Sequence, residues 1–299
     1  MKESAKVLKF RRAPKPLKVD LHLHTADDPY DRIRHTSKEM ISRAADQGFD
    51  VISITNHQCL TFNEDLYEYA KERGILLIPG IELNIRNRHV LMLNPPPAKT
   101  ISDFSSLSRW RRPETLVIAP HPYYPGIRSL NGYLLRHLHL FDAIEYCYFY
   151  TPWINFNQRA VELSEANGFP LIGNSDSHFL SQLGTTYSII HAEKTMESIF
   201  RAIRQKKLEV VSRPLSPSEM GSLVRRYFKM KLQSPILMPR QWSTTPTALC
   251  LGWTRGGPPT MATRCRPATC AGCSRRPGQR ACSASSTTTR ATSPRANGR

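Results

Sequence analysis

Asp20-Leu21-His22-Leu23-His24 is the stretch on which the reading of this chain turns. It reads as a β-strand that ends in two histidines. Side chains two apart on a strand leave the same face, so His22 and His24 can enter one pocket and hold one metal ion. Imidazole is a common ligand for zinc and similar divalent metals. Taken alone, the pair would serve equally well as a polar strand face. What recurs downstream decides between the two.

Three further apolar runs end in residues of the same kind. The run 51–55 leads into Asn56-His57, the run 75–81 into Glu82, and the run 171–173 into Asn174-Ser175-Asp176-Ser177-His178. His89 precedes Val90-Leu91-Met92-Leu93, and His121 follows Val117-Ile118-Ala119-Pro120. Short β-branched runs that alternate with helical patterns predict an α/β fold, a parallel sheet with crossover helices. Such a sheet presents the carboxyl ends of its strands on one edge, where loops gather active-site groups. Strands are expected at 18–23, 51–55, 75–81, 89–93, 116–119, 143–147, 170–173 and 208–212. Helices are expected at 37–47, 64–73, 101–111, 129–138, 155–167 and 196–206, with Gly48, Gly74 and Gly168 as C-terminal stops.

Taken together, six motifs resemble those of the PHP family, named for polymerase and histidinol phosphatase domains. They are Asp20-Leu21-His22-Leu23-His24-Thr25, Ile54-Thr55-Asn56-His57, Pro79-Gly80-Ile81-Glu82, His89-Val90-Leu91, Ala119-Pro120-His121-Pro122 and Asn174-Ser175-Asp176-Ser177-His178. They occur in the family's order across residues 18–213. The resemblance implies a distorted (β/α)7 barrel with two or three divalent metal ions. Carried over by position, the first metal takes His22, His24, Glu82 and Asp176. The second shares Glu82 and adds His89 and His121. The third takes His57, His178 and an acid soon after the first motif, either Asp28 or Asp31, with Asp28 preferred. Asn56 stands where the family commonly has Asp, and it cannot carry the charge that an outer partner of a ligand would supply.

Carboxylate and imidazole ligands suit zinc, manganese and iron without any cysteine. Paired metals activate water and neutralise phosphoryl oxygens. The expected function is therefore metal-dependent hydrolysis of a phosphate ester, a small phosphomonoester or nucleotide, by metal-activated hydroxide. Glu82 would bridge the metals, and His178 is a candidate proton donor. Two alternatives are a nuclease acting on DNA or RNA ends and a non-catalytic metal-binding regulatory module. Arg128 and Arg32 fall near site loops and could grip phosphate with a planar fork. Ser175 and Ser177 read as turn formers or as donors to the ligands, not as nucleophiles. His35 reads as a loop residue before a helix capped by Thr36. His137 and His139 fall on a helical stretch, where residues two apart do not face together.

The chain carries a formal charge of +18, unevenly spread. Residues 1–18 hold +6 and residues 233–299 hold +10, which leaves only +2 for residues 19–232. The catalytic region is thus near neutral. A small phosphorylated substrate is expected, and nucleic acid is not favoured as a partner. The domains expected are a basic arm at 1–17, the hydrolase at 18–215, a further helix with a basic face at 216–232, and a tail at 233–299. The tail has ten Arg and no Asp, Glu, Lys, His, Tyr or Phe. It reads as disordered and basic, or as a frameshifted end. Cys270 and Cys273 have zinc-knuckle spacing without a second pair. The domain itself contains only Cys59 and Cys147, no disulfide framework. A cytoplasmic location and no membrane span are expected.

Overall fold

In the computed structural model, which describes residues 15–97, 100–126 and 128–233, strands and helices alternate through most of the chain. The first group is β1 (Pro16–Leu23), α1 (Ser37–Asp46), β2 (Val51–Ile54), α2 (Glu64–Glu72) and β3 (Leu76–Leu77). The second is β4 (Gly80–Ile85), β5 (Arg88–Leu93), α3 (Phe104–Trp110), β6 (Leu116–Ala119), α4 (Gly132–Arg136), β7 (Ala143–Cys147), α5 (Gln158–Asn167) and β8 (Leu171–Asn174). The last is β9 (Thr186–His191), α6 (Met196–Arg204), β10 (Leu208–Ser212) and α7 (Pro217–Gln233). The expected N-terminal arm to residue 14, the tail from residue 234 and the Cys270–Cys273 pair lie outside the described residues.

The expected (β/α)7 barrel is not what the strands form. Two five-stranded sheets are present, ordered β10-β9-β1-β2-β3 and β4-β5-β6-β7-β8, with no closed ring among the described residues. The reason is local. Arg86 and Asn87 both have positive φ (49° and 61°), as a primed two-residue turn requires, so β4 and β5 form an antiparallel hairpin. Residues 82–88 fall between two expected strands and were not expected to extend either. Strand β9, also absent from the expected set, runs antiparallel to β1 and carries β10 on its other edge. Parallel pairing remains between β1 and β2, β2 and β3, β6 and β7, and β7 and β8.

The main core lies between the sheets. Leu17, Val19 and Leu21 of β1 meet Leu91 and Leu93 of β5, Ile118 of β6 and Ile172 of β8, and α6 adds Ile199, Phe200 and Ile203. Helices α1 and α2 cover one sheet through Met40, Ile41, Leu66 and Ala70. Helices α3, α4 and α5 cover the other through Phe104, Leu107, Leu134 and Ala160. The expected capping of α1 is present: Thr36 accepts from the Glu39 N–H, and the Glu39 carboxylate accepts from Thr36 N at 2.7 Å.

An irregularity in β1 positions the site. Asp20 pairs with Ile52 but Leu23 pairs with Ile54, so β1 carries one extra residue. A bulge of this kind reverses the in–out alternation. Leu17, Val19 and Leu21 face the inter-sheet core, whereas Leu23 packs under α1 and α2. His22 and His24 are thereby turned to the inner side. The sheets are joined beside them by bridges between Leu23 and Ser177 and between His57 and Glu82.

Candidate metal centre

Eight of the expected ligands stand on or just beyond a strand. His22 lies on β1, with His24 one residue past its end, His57 follows β2, Glu82 lies on β4, His89 on β5, His121 follows β6, and Asp176 and His178 follow β8. Glu82 is their common neighbour. Its Oε2 is 3.6 Å from His22 Nε2, 3.4 Å from His24 Nε2 and 3.0 Å from His57 Nε2. Its Oε1 is 2.6 Å from His89 Nδ1 and 3.4 Å from His121 Nε2. Asp176 Oδ1 lies 3.3 Å from His22 Nε2, 3.4 Å from His24 Nε2 and 3.5 Å from His178 Nδ1. In four overlapping triads the donor atoms fall within 4.8 Å of one another: His22–His24–Asp176, His22–Glu82–His121, His57–Glu82–His89 and His24–His57–His178. Gly80 lets β4 come this close, because a Cβ there would collide with Ser53 Oγ and approach Thr55 Cγ2 to 2.8 Å. His121 and Asp176 hold left-handed backbone (φ 28° and 44°), a conformation that L-residues adopt at a cost of about 1–3 kcal/mol and that concentrates at functional sites.

Asp28 is placed differently from the expectation. Its Oδ2 accepts from His57 N (2.9 Å) and faces His57 Nδ1 (2.7 Å) and His24 Nδ1 (3.0 Å). Its Oδ1 accepts from Tyr30 N and Asp31 N. Both oxygens are thus already engaged in holding two imidazoles and a turn. Asp31 is the acid that faces the cavity, with Oδ2 3.2 Å from His178 Nε2 and Oδ1 against Lys231 Nζ. Spacing alone could not separate the two, because the choice rests on how the 25–35 loop folds back.

Glu145, in the middle of β7, is a residue that the sequence reading misses. It is fully buried; Oε1 meets His22 Nδ1 at 2.9 Å and accepts from Asn174 Nδ2, and Oε2 accepts from His121 N at 2.8 Å. An acid inside the apolar run Ala143-Ile144-Glu145-Tyr146-Cys147 is the available signal, since such acids are seldom buried without a task. Asn56 ties the segment after β2 to Thr25 through both ends of its amide, accepting from Thr25 N and donating to Thr25 Oγ1. His35 is more than a loop residue: its Nε2 donates to the His24 carbonyl at 2.8 Å. Ser175 and Ser177 bond to each other at 2.6 Å, Ser175 N–H donates to Asp20, and Ser177 bridges to Leu23, so the two brace the segment after β8 against β1.

The charges respond to this crowding. Burial opposes a charged His24, but the carboxylates of Asp176, Asp28 and Glu82 outweigh it and lift its pKa to about 9. Burial pulls His89 down to about 4 despite Glu82. Burial raises Asp20 to about 7, against hydrogen bonds from Ser175 and His22. Burial also works against an ionised Asp176, yet the surrounding histidines, His22 foremost, hold it well below the usual carboxylate range.

This donor set fits divalent cations. His22 and His24 each give Nδ1 to a carboxylate, while Nε2 is buried without a hydrogen-bond partner. One nitrogen fixed by an outer carboxylate and the other left bare is how ligating histidines are commonly prepared. Oxygen and nitrogen donors without thiolate suit zinc, manganese or iron. A cavity of about 490 Å³ opens over the cluster, walled by Tyr124, Tyr148 and Phe149 on one side and by Val224, Tyr227 and Lys231 of α7 on another. Arg128, expected near the site, lines it too, with Nη1 3.3 Å from His89 Nε2. Tyr227 and Lys231 carry no local signal, since only the docking of α7 brings them here.

Imidazoles and carboxylates converging at strand ends of an α/β fold mark the class of metal-dependent hydrolases. Comparison with known proteins narrows the class. Residues 20–150 match the family model described as the PHP domain, and residues 155–208 match the one described as PHP-associated. The chain belongs to the PHP family. It is 25% identical over 125 residues to the uncharacterized protein MJ1587 of Methanocaldococcus jannaschii, covering 38% of this chain and 73% of that one. It is 32% identical over 70 residues to the PolC-type DNA polymerase III of Bacillus cereus, covering 23% of this chain and 5% of the polymerase. Its fold resembles a two-domain protein from Bacteroides vulgatus containing a predicted PHP-like metal-dependent phosphoesterase (TM-score 0.54, 16% identity, 77% of this chain and 75% of that one). It also resembles the lesion-specific endonuclease PfuEndoQ of Pyrococcus furiosus (TM-score 0.50, 15% identity, 68% and 60%). Among the described residues no helix is long and apolar enough to cross a membrane.

Proposed function

We propose that this protein is a metal-dependent phosphoesterase acting on a small phosphomonoester or nucleotide. The observation that carries the reading is the bare Nε2 of His22 and His24, aimed at Glu82 and Asp176 inside a buried cluster. We assign one cation position to His22, His24, Glu82 and Asp176, and a second to Glu82, His89 and His121. We assign a third to His57, His178 and Asp31, with Asp31 replacing the Asp28 favoured by the sequence. When bound, divalent cations supply Lewis acidity toward a phosphoryl group and toward water.

The chain's own residues do the rest. Asp28 holds His24 and His57 in one tautomer, and Glu145 does the same for His22. Glu82 spans the cluster with one oxygen toward each half. Arg128 extends a planar cation over the His89 side, suited to phosphoryl oxygens. His178 keeps Nδ1 against the Tyr227 hydroxyl and turns Nε2 to the cavity side, beside Asp31. Where His178 is not taken up as a ligand, that Nε2 would be placed to hand a proton to the leaving oxygen.

A second reading, hydrolysis at DNA or RNA ends, draws on the exposed face of α7. Arg225, Arg226, Phe228 and Lys229 are exposed there, basic side chains interleaved with an aromatic ring. The lesion-specific endonuclease activity named for the PfuEndoQ neighbour is compatible with it. One experiment tests both. Chelator-stripped protein is supplied with manganese and offered an aryl phosphate, a mononucleotide and a 5′- or 3′-phosphorylated oligonucleotide. Aryl phosphate and mononucleotide turnover that disappears in His22→Ala supports the first reading. Turnover of the oligonucleotide alone replaces it with the second, and no metal-dependent turnover at all rejects both.

A further inference from the structure

Helix α7 lies beyond residue 208, where the match to the PHP-associated model ends. It is nevertheless part of the site. Leu223 is buried with Cys147, Tyr148 and Leu215, and Tyr227 places its hydroxyl 3.0 Å from His178 Nδ1 and 3.1 Å from the Tyr148 hydroxyl. Helical spacing puts Val224, Tyr227 and Lys231 on one face, and all three line the cavity.

Lys231 stands at the end of that row. Its side chain is 59% exposed, whereas its partner Asp31 is 2% exposed. The ammonium rests against Asp31 Oδ1, while His178 Nε2 faces the other oxygen of the same carboxylate. An ammonium has three donors, and one carboxylate oxygen does not exhaust them. Among the described residues that line this cavity, the Lys and Arg side chains are those of Lys231 and Arg128. Arg128 stands on the His89 side and Lys231 on the His178 side, so the two permanent cations flank the cluster. A phosphoryl dianion seated over the cluster would offer oxygens to both.

We propose that Lys231 is a phosphate-binding residue of the site, held ready by Asp31 and directed at the substrate's phosphoryl oxygens. This rests on the phosphoesterase reading and says which residue of α7 recognises the phosphate. It has a consequence that a purely structural lysine would not. A fixed cation at the rim attracts anions and repels divalent metal ions. Its removal changes the two affinities in opposite directions, whereas the loss of a brace for Asp31 would weaken both.

The test uses the full chain and its Lys231→Met and Lys231→Arg variants. Chelator-stripped protein is titrated calorimetrically with Mn²⁺ alone, and the loaded protein is then titrated with inorganic phosphate. In Lys231→Met, Mn²⁺ is expected to bind roughly threefold more tightly at the weakest position and phosphate about tenfold more weakly. KM for an aryl phosphate should rise by a similar factor with kcat changed less, and Lys231→Arg should stay near the parent. Both affinities falling together, or neither moving, overturns the proposal. A parent protein that binds no Mn²⁺ overturns the phosphoesterase reading and this inference with it. That outcome is told apart from failure of Lys231 alone, in which the parent isotherms are intact.

Discussion

Asp28→Asn separates an outer partner from a ligand. In the structure, Asp28 Oδ2 meets three groups at 2.7, 2.9 and 3.0 Å: His57 Nδ1, His57 N and His24 Nδ1. The other oxygen accepts two backbone N–H groups of the turn. An amide has one oxygen, so the substituted side chain could keep the backbone pair or the imidazole set, but not both. With its NH₂ turned toward His57 N, donor would face donor. Loss of an outer partner of ligating histidines typically weakens metal binding by about 10–100-fold, about 1.4–2.8 kcal/mol. The expected result is therefore graded: the same number of Mn²⁺ equivalents in equilibrium dialysis, bound with lower affinity. Asp31→Asn should instead lose one equivalent. If Asp28→Asn loses a whole equivalent while Asp31→Asn binds the full complement, Asp28 is the ligand and the reasoning from its occupied oxygens fails.

Two further expectations concern stability. In chelator-stripped protein the His24 pKa is raised from 6.5 to about 9, so its contribution is complete below pH 6.5 and is lost as pH rises through 9. Asp20, raised from 3.8 to about 7, penalises its own ionisation and acts in the same direction as pH climbs. The Tm of the metal-free protein should fall between pH 6.5 and 9, and a Tm that rises over this window would contradict the cluster's charge arrangement. Gly80→Ala inserts a Cβ against Ser53 Oγ, with Thr55 Cγ2 and Leu93 Cδ2 each 2.8 Å away. Overpacking of this kind costs about 1–3 kcal/mol. Urea unfolding should show it, with Mn²⁺ affinity reduced as well because Glu82 lies two residues on; unchanged stability would mean the strands part freely.

Local motifs were enough to show which imidazoles and carboxylates gather at the centre and to place most of the elements that carry them. His22, His24, His57, Glu82, His89, His121, Asp176 and His178 all sit in short local motifs on or next to strands, and each strand end sends its residues to the same place. Local spacing suffices to bring these residue types to the strand ends, though not to decide which way every one of them points. The remainder depends on how distant segments pack. The two-residue turn at Arg86-Asn87 and the late strand β9 turned an expected ring into two sheets. One extra residue in β1 sent His22 and His24 inward with the core leucines instead of away from them. Glu145 reaches His22 across 123 positions, and Lys231 reaches Asp31 across 200. Such contacts depend on which surfaces pack together, and no periodicity in the chain encodes a partner that far away.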